Sequence, residues 1–228
     1  MILKGFVFGI RVSKSFYIED KLGAIIDDLL YCKGTEFGPS LFPTVQEQNN
    51  VKILCNEKSN NRFIVNHSDF IFEYNLKSDF DSEFTKFLDS YSSIVTKSIF
   101  KKFEIRNIAR FGCIIKSELE DRDELTKDVN GIITKYYPKY ANDSYSLRFN
   151  VKDKKPIRIQ NVITEDFDNI IVTYDRANEG APLILSVDYQ KYFKPELNSI
   201  SEATQSFESF CQERLKEFKT TYLKNNAK

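Results

Sequence analysis

The chain has 228 residues with 33 basic and 33 acidic side chains, so its formal charge is zero, which argues against a histone-like role or a non-specific nucleic-acid coat. Hydrophobic residues make up 41% and aromatic residues 14%, with 20 Phe, 12 Tyr and no Trp, enough to build a sizeable core and to exclude global disorder. The length suits one large domain or two small ones.

No run approaches the roughly 18 apolar residues that a membrane span needs. The opening stretch MILKGFVFGI is too short an apolar run for a secretion signal and has no cleavage-site pattern, so no membrane partner is expected. Cys32, Cys55, Cys113 and Cys211 are widely spaced, form no CxxC, and lie in apolar-patterned stretches. That pattern predicts four buried, reduced thiols and a cytoplasmic protein.

In chain order, residues 3–12 alternate as a first strand punctuated by Gly5 and Gly9. Residues 18–32 carry an apolar stripe at helical spacing: Ile18, Leu22, Ile25, Ile26, Leu29 and Leu30. Residues 33–50 read as a long loop from their Gly, Pro and Asn content. A hairpin, 51–56 with 62–66, and a strand at 70–75 follow. Residues 81–102 predict a helix, with Ser78 and Asp81 resembling a capping box.

The midpoint stretch 104–116 has period-2 patterning. Ile105, Ala109, Phe111, Cys113 and Ile115 make an apolar side; Arg106, Arg110 and Lys116 make a basic one. A helix at 122–137 follows, with Leu125, Val129, Ile132 and Ile133 inward and Pro138 as its stop. Strands are expected at 145–152, 157–163, 169–175 and 183–189, then a final helix from the Ser199–Glu202 capping box to about Tyr222, and a frayed tail, 224–228.

Each half therefore reads strand, helix, meander, helix. The expected fold class is α+β: a curved antiparallel sheet with about four helices on one face, a pseudo-duplicated β-α-β(3-4)-α plan. The halves, 1–103 and 104–228, would form one continuous domain. This order is similar to a doubled TATA-binding-protein-like β-α-β4-α unit, a likeness of topology that does not imply DNA binding.

Three stretches resemble a sporadically distributed bacterial family of unknown function and about this length: the apolar first strand 3–12, the central Arg106-Asn107-Ile108-Ala109-Arg110-Phe111, and Leu185-Ser186-Val187-Asp188. Ile108 stands where that family's Gly is usual, and Ser186 where its first acid is usual. The resemblance implies a bacterial origin and this architecture, is compatible with a defence or mobile-element system, and supplies no catalytic residues.

Motifs for common chemistries are missing. The one histidine, His67, sits in a polar turn and cannot by itself build a His-rich zinc site. There is no nucleophile elbow, phosphate-binding P-loop or dinucleotide fingerprint. Glu118, Glu120, Asp121, Asp123 and Glu124 suit the start of a helix through its dipole. No cofactor, metal site or catalytic residue is expected.

Parity singles out one surface. If Ile105, Phe111, Leu147, Phe149, Ile157, Ile159 and Val172 face the helices, the opposite face takes Arg106, Arg110, Lys116, Arg148, Lys152, Arg158, Gln160, Thr173 and Asp188, with Lys52 and Arg62 from the first half. The candidate binding residues are Arg106, Arg110, Arg148, Arg158 and Asp188. Guanidinium forks suit phosphate or carboxylate. The sequence therefore points to a non-catalytic binding protein whose helix-free sheet face takes a partner protein or an anionic ligand, nucleic acid or nucleotide. The alternatives are a metal-dependent nuclease or phosphodiesterase using Asp166, Asp168 or Asp188, and an oligomeric structural partner, a homo-oligomer joined through an exposed edge strand.

Overall fold

In the computed structural model, residues 1–31, 33–48, 51–77, 79–140, 143–151, 158–159, 162–163, 165–178 and 180–223 are described. The first half runs β1 (Ile2–Val12), α1 (Phe16–Tyr31), β2 (Thr44–Gln48), β3 (Val51–Asn56), β4 (Asn61–Val65), β5 (Asp69–Asn75) and α2 (Phe80–Tyr91), which continues as a π-helical segment, Ser92–Phe100. The second runs β6 (Ile108–Leu119), α3 (Glu124–Tyr136), β7 (Tyr145–Val151), β8 (Arg158–Ile159), β9 (Val162–Ile163), β10 (Phe167–Arg176), β11 (Leu183–Leu197) and α4 (Ile200–Phe218). Among the described residues, nine strands form one open sheet in the order β2-β3-β4-β5-β1-β6-β11-β10-β7, and every neighbouring pair is antiparallel. In each half the first strand pairs with the last strand of its own meander, and the two first strands, β1 and β6, pair with each other at the centre.

The helices cover one face because the strands are apolar on one parity. Phe6, Phe8 and Ile10 lie opposite Ile115, Cys113 and Phe111 across the central seam, and all six are essentially buried. Phe8 packs its ring against Phe84 of α2 at 5.0 Å and Phe207 of α4 at 6.3 Å, so one side chain joins helices from both halves. Burying each such ring contributes about 1.5–3 kcal/mol. Local chemistry closes the helix ends. Asp79 caps α2 by accepting from Ser82 N at 3.0 Å, and Ser199 Oγ caps α4 by accepting from Glu202 N at 3.3 Å. Asp123 takes the N-cap position of α3 without a side-chain cap bond; its carboxylate instead accepts from Glu120 N at 2.7 Å, ahead of the helix.

Several expectations need correction. The 33–50 loop contains β2, an edge strand paired with β3. The strand expected at 104–116 begins only at Ile108, because Glu104 and Asn107 adopt left-handed backbone, φ 50° and 62°, and break the extension. The strand expected at 157–163 is instead the two-stranded hairpin β8–β9, outside the main sheet. Ile132 lies on the exposed side of α3, whose buried residues are Thr126, Val129 and Ile133. On β7, Phe149 and Val151 have the expected parity, yet at 45% and 52% exposure they lie at an edge that no helix covers. Cys55, Cys113 and Cys211 are free and buried as expected. The expectations for Cys32, Ser78, Lys152, Ile157, Gln160 and the 224–228 tail lie outside the described residues. Among the described residues, no helix is long and apolar enough to cross a membrane.

The seam should dominate stability. Phe8→Ala is expected to cost about 3–5 kcal/mol in urea unfolding, because it leaves a cavity between two helices and the sheet. Phe16→Ala, at a ring 86% exposed, should change stability by no more than about 0.5 kcal/mol. Equal costs for the two would contradict this packing.

Candidate ligand-binding face of the sheet

On the helix-free face the pairing register lays side chains out in rows across the strands. One row reads Asp69, Arg11, Arg110, Tyr192 and Phe167, on β5, β1, β6, β11 and β10. The next reads Ile71, Gly9, Gly112, Gln190 and Asn169. The third reads Arg62, Glu73, Val7, Ile114, Asp188, Ile171 and Asn150, and the fourth Asn75, Gly5, Lys116, Ser186, Thr173 and Arg148.

Within the first row, Arg11 and Arg110 face opposite fates. Arg11 grips Asp69 with both ends of its fork, Nε to Oδ1 at 2.6 Å and Nη2 to Oδ2 at 3.2 Å. Burial works to raise the Asp69 pKa, but the Arg11 bonds, with help from Ser68 and Asn66, outweigh it and hold the carboxyl below its usual range. Arg110 has no carboxylate in ion-pair range among the described residues. Its Nη1 donates to Tyr192 Oη at 3.4 Å and its guanidinium lies 5.7 Å from that ring's centroid. Tyr192 stacks almost parallel on Phe167, 4.6 Å between centroids.

A chain of polar bonds runs from Tyr192 into the second and third rows. Tyr192 Oη donates to Gln190 Oε1 at 2.9 Å, and Asn169 Nδ2 donates to the same oxygen at 3.0 Å. Gln190 Nε2 donates to Asp188 Oδ2 at 2.6 Å. The carboxylate thus fixes which end of Gln190 is nitrogen, and Gln190 in turn fixes Asn169. Gln190 and Asn169 are each only 8% exposed, and Asn169 Oδ1 is buried without a partner. Burial raises the Asp188 pKa, against the opposing pulls of the Gln190 bond and of the Arg110 and Arg148 charges.

The five anticipated residues do not share one patch. Arg110, Arg148 and Asp188 lie on the helix-free face, with Asp188 close enough to feel both cations. Arg106 is in the 104–107 segment ahead of β6, exposed and off the sheet. Arg158 belongs to the separate β8–β9 hairpin. Lys52 lies opposite Val65, which puts it on the helix side, where it pairs with Glu47. The face also holds more acid than expected. Glu73 joins Arg62 and Lys116 in one cluster, and Glu118 pairs with Lys4 at 2.8 Å. Parity alone passed over Arg11, Asp69, Glu73, Gly9, Gly112, Asn169, Gln190 and Tyr192.

The acids of the nuclease alternative are separated. Asp188 is on the helix-free face, Asp168 binds Arg214 of α4 on the helix side, and Asp166 Oδ1 accepts from Lys194 N at 2.7 Å. Among the described residues no three His, Cys, Asp or Glu side chains converge as a cation set. His67 stays in its turn, where its carbonyl accepts from Ser15 N at 3.2 Å. No protein-family model and no curated protein matches the chain.

A raised Asp188 pKa has a definite sign. The acid form is favoured by folding, so the ionised form weighs against the fold at neutral pH, and that penalty fades as pH falls through the raised value. Asp188→Asn keeps an oxygen for Gln190 Nε2. It should unfold at a higher temperature than the wild type at neutral pH, with the gap closing in acid. Thermal melts across this range check it; a mutant less stable at neutral pH would contradict the assignment.

Proposed function

We propose that this is a non-catalytic binding protein that receives an anionic ligand, a nucleotide or nucleic acid, on the helix-free face of its sheet. One observation carries the reading. Arg110 and Arg148 are the cations of that face without a salt bridge among the described residues, and they bracket the Asp188–Gln190–Asn169 polar chain, whereas Arg11, Arg62 and Lys116 are committed to Asp69 and Glu73. Partnered cations help to hold the sheet; free guanidinium forks are available to a phosphate or carboxylate. The separation of Asp166, Asp168 and Asp188 weighs against the metal-dependent nuclease or phosphodiesterase. An oligomeric structural partner draws on the exposed Phe149 and Val151 at the β7 edge. The free, buried cysteines support a reducing, cytoplasmic setting. The resemblance to sporadically distributed bacterial proteins is the basis for placing such a protein in a defence or mobile-element system.

Binding of a fluorescent oligonucleotide and of nucleotide phosphates, at low and moderate salt, tests this reading. Wild-type affinity should fall as salt rises, because screening shortens the field to about 10 Å at 0.1 M. Arg110→Glu with Arg148→Glu should weaken binding by about tenfold or more, roughly 1.4 kcal/mol, while the protein stays folded. Equal binding by both proteins, or none by the wild type, would reject the face as an anion site.

A further inference from the structure

Two glycines lie directly opposite each other in the middle of the central strand pair, Gly9 on β1 and Gly112 on β6. Glycine weakens a strand interior, so its presence there needs a cause. Gly5 has one: a Cβ on it would sit 2.4 Å from the Tyr74 carbonyl oxygen. Gly9 and Gly112 do not. A Cβ on either would meet nothing nearer than 3.8 Å, and neither residue has positive φ. The fold itself would accept side chains at both positions, and their absence leaves a hollow floored by bare backbone.

The walls of the hollow follow from the rows. Arg11 and Arg110 stand on one side, Val7 and Ile114 on the other, and Ile71 and Gln190 at the two ends. Neighbouring strands are about 4.8 Å apart and same-face residues along a strand about 7 Å apart, so the space suits one flat ring. Of the two arginines only Arg110 is free of a carboxylate. At the polar end the Gln190 oxygen takes two donors, and its nitrogen gives one of its two hydrogens to Asp188. The acceptor left open beside the hollow is Asp188 Oδ1; Asn169 Oδ1, also without a partner, is buried beyond Gln190. A complementary ligand brings N–H donors on a flat ring and a negative group one residue-step away.

We propose that the Gly9–Gly112 hollow binds the amino-bearing base of a nucleotide, lying flat on the two glycines, with its amino group toward Asp188 Oδ1 and its phosphate on Arg110. This rests on the anionic-ligand reading and narrows it to one site and one ligand chemistry. Adenine, cytosine and guanine carry an exocyclic amino group; uracil offers only its N3–H, flanked by two carbonyls that the Asp188 carboxylate repels. The phosphate could belong to a free nucleotide or to a single strand.

Calorimetric titration uses adenosine monophosphate, uridine monophosphate, a short oligoadenylate and inorganic phosphate as probes, with wild type, Gly112→Val and Gly112→Ala. The wild type should bind adenosine monophosphate at least about tenfold more tightly than uridine monophosphate or inorganic phosphate. Gly112→Val, whose side chain fills the hollow, should lose about tenfold or more for the adenine ligands, while inorganic phosphate binding stays unchanged. Gly112→Ala adds one methyl and should fall between, which keeps the test decisive if the valine variant folds poorly. Tighter binding of the oligoadenylate assigns the site to single strands, and equal binding to free nucleotides; both outcomes support the hollow. If Gly112→Val and Gly112→Ala bind adenosine monophosphate like the wild type, or the wild type prefers no base, the hollow is rejected while the anionic face stands. If the wild type binds none of the four probes, both readings fall.

Discussion

The antiparallel pairing of β1 with β6 is the constraint on which the rest of the molecule depends. Among the described residues it is the only strand pairing that joins the two halves, and its register assigns the central side chains to one of two environments. With Phe8 opposite Cys113, Phe6, Phe8, Ile10 and Val12 of β1 enter the core, and Val7, Gly9 and Arg11 are left to the helix-free face. A slip of one residue would drive Arg11 and Arg110 into that core and expose Phe8 and Phe111. The core enforces the register from the other side, since Phe8 and Phe111 both pack on Phe207 of α4.

The same register arranges the charges on the open face. Asp69 lies beside Arg11, and Glu73 lies between Arg62 and Lys116, so these pairs are set by strand geometry rather than by long flexible reach. Both carboxyls are partly buried and are held below their usual range once the cation bonds outweigh desolvation. Their contribution to stability is present at neutral pH and is lost as pH falls through those lowered values. Asp188 is the opposite case. Its partner is a neutral amide, its cations are more distant, and burial prevails. The face therefore combines neutralised structural pairs with one polar region, around Asp188, whose charges are incompletely matched.

Much of the architecture was legible because the pattern was strong. Helix α1 is announced by Ile18, Leu22, Ile25, Ile26 and Leu29, and the outward parity of Arg110, Lys116 and Arg148 follows from simple alternation. The failures have local causes. Strand β3 is apolar on both parities, so Lys52 could not fix its register. Left-handed Asn107 and a register shift beside Ile108 broke the alternation that had placed Arg106 on the sheet. Arg158 depended on reading 157–163 as one strand, whereas Arg158–Ile159 and Val162–Ile163 pair antiparallel with each other outside the main sheet. Asp69 and Glu73 come from β5, and their pairs with Arg11 of β1 and Lys116 of β6 join residues distant in sequence, contacts that no periodicity announces. The glycines were different: Gly9 was visible as an interruption within a strand, but its meaning depended on Gly112 lying across from it, which only the pairing shows.

The most direct measurement is a backbone amide NMR titration of the isotopically labelled protein with adenosine monophosphate. The expected result is a set of shifts confined to the helix-free rows, at Gly9, Arg110, Gly112, Gln190 and Tyr192, with α1 to α4 unmoved. Shifts clustered on the helices, or none in β1, β6 and β11 at saturating ligand, would contradict a sheet that uses one face to build its core and the other to bind.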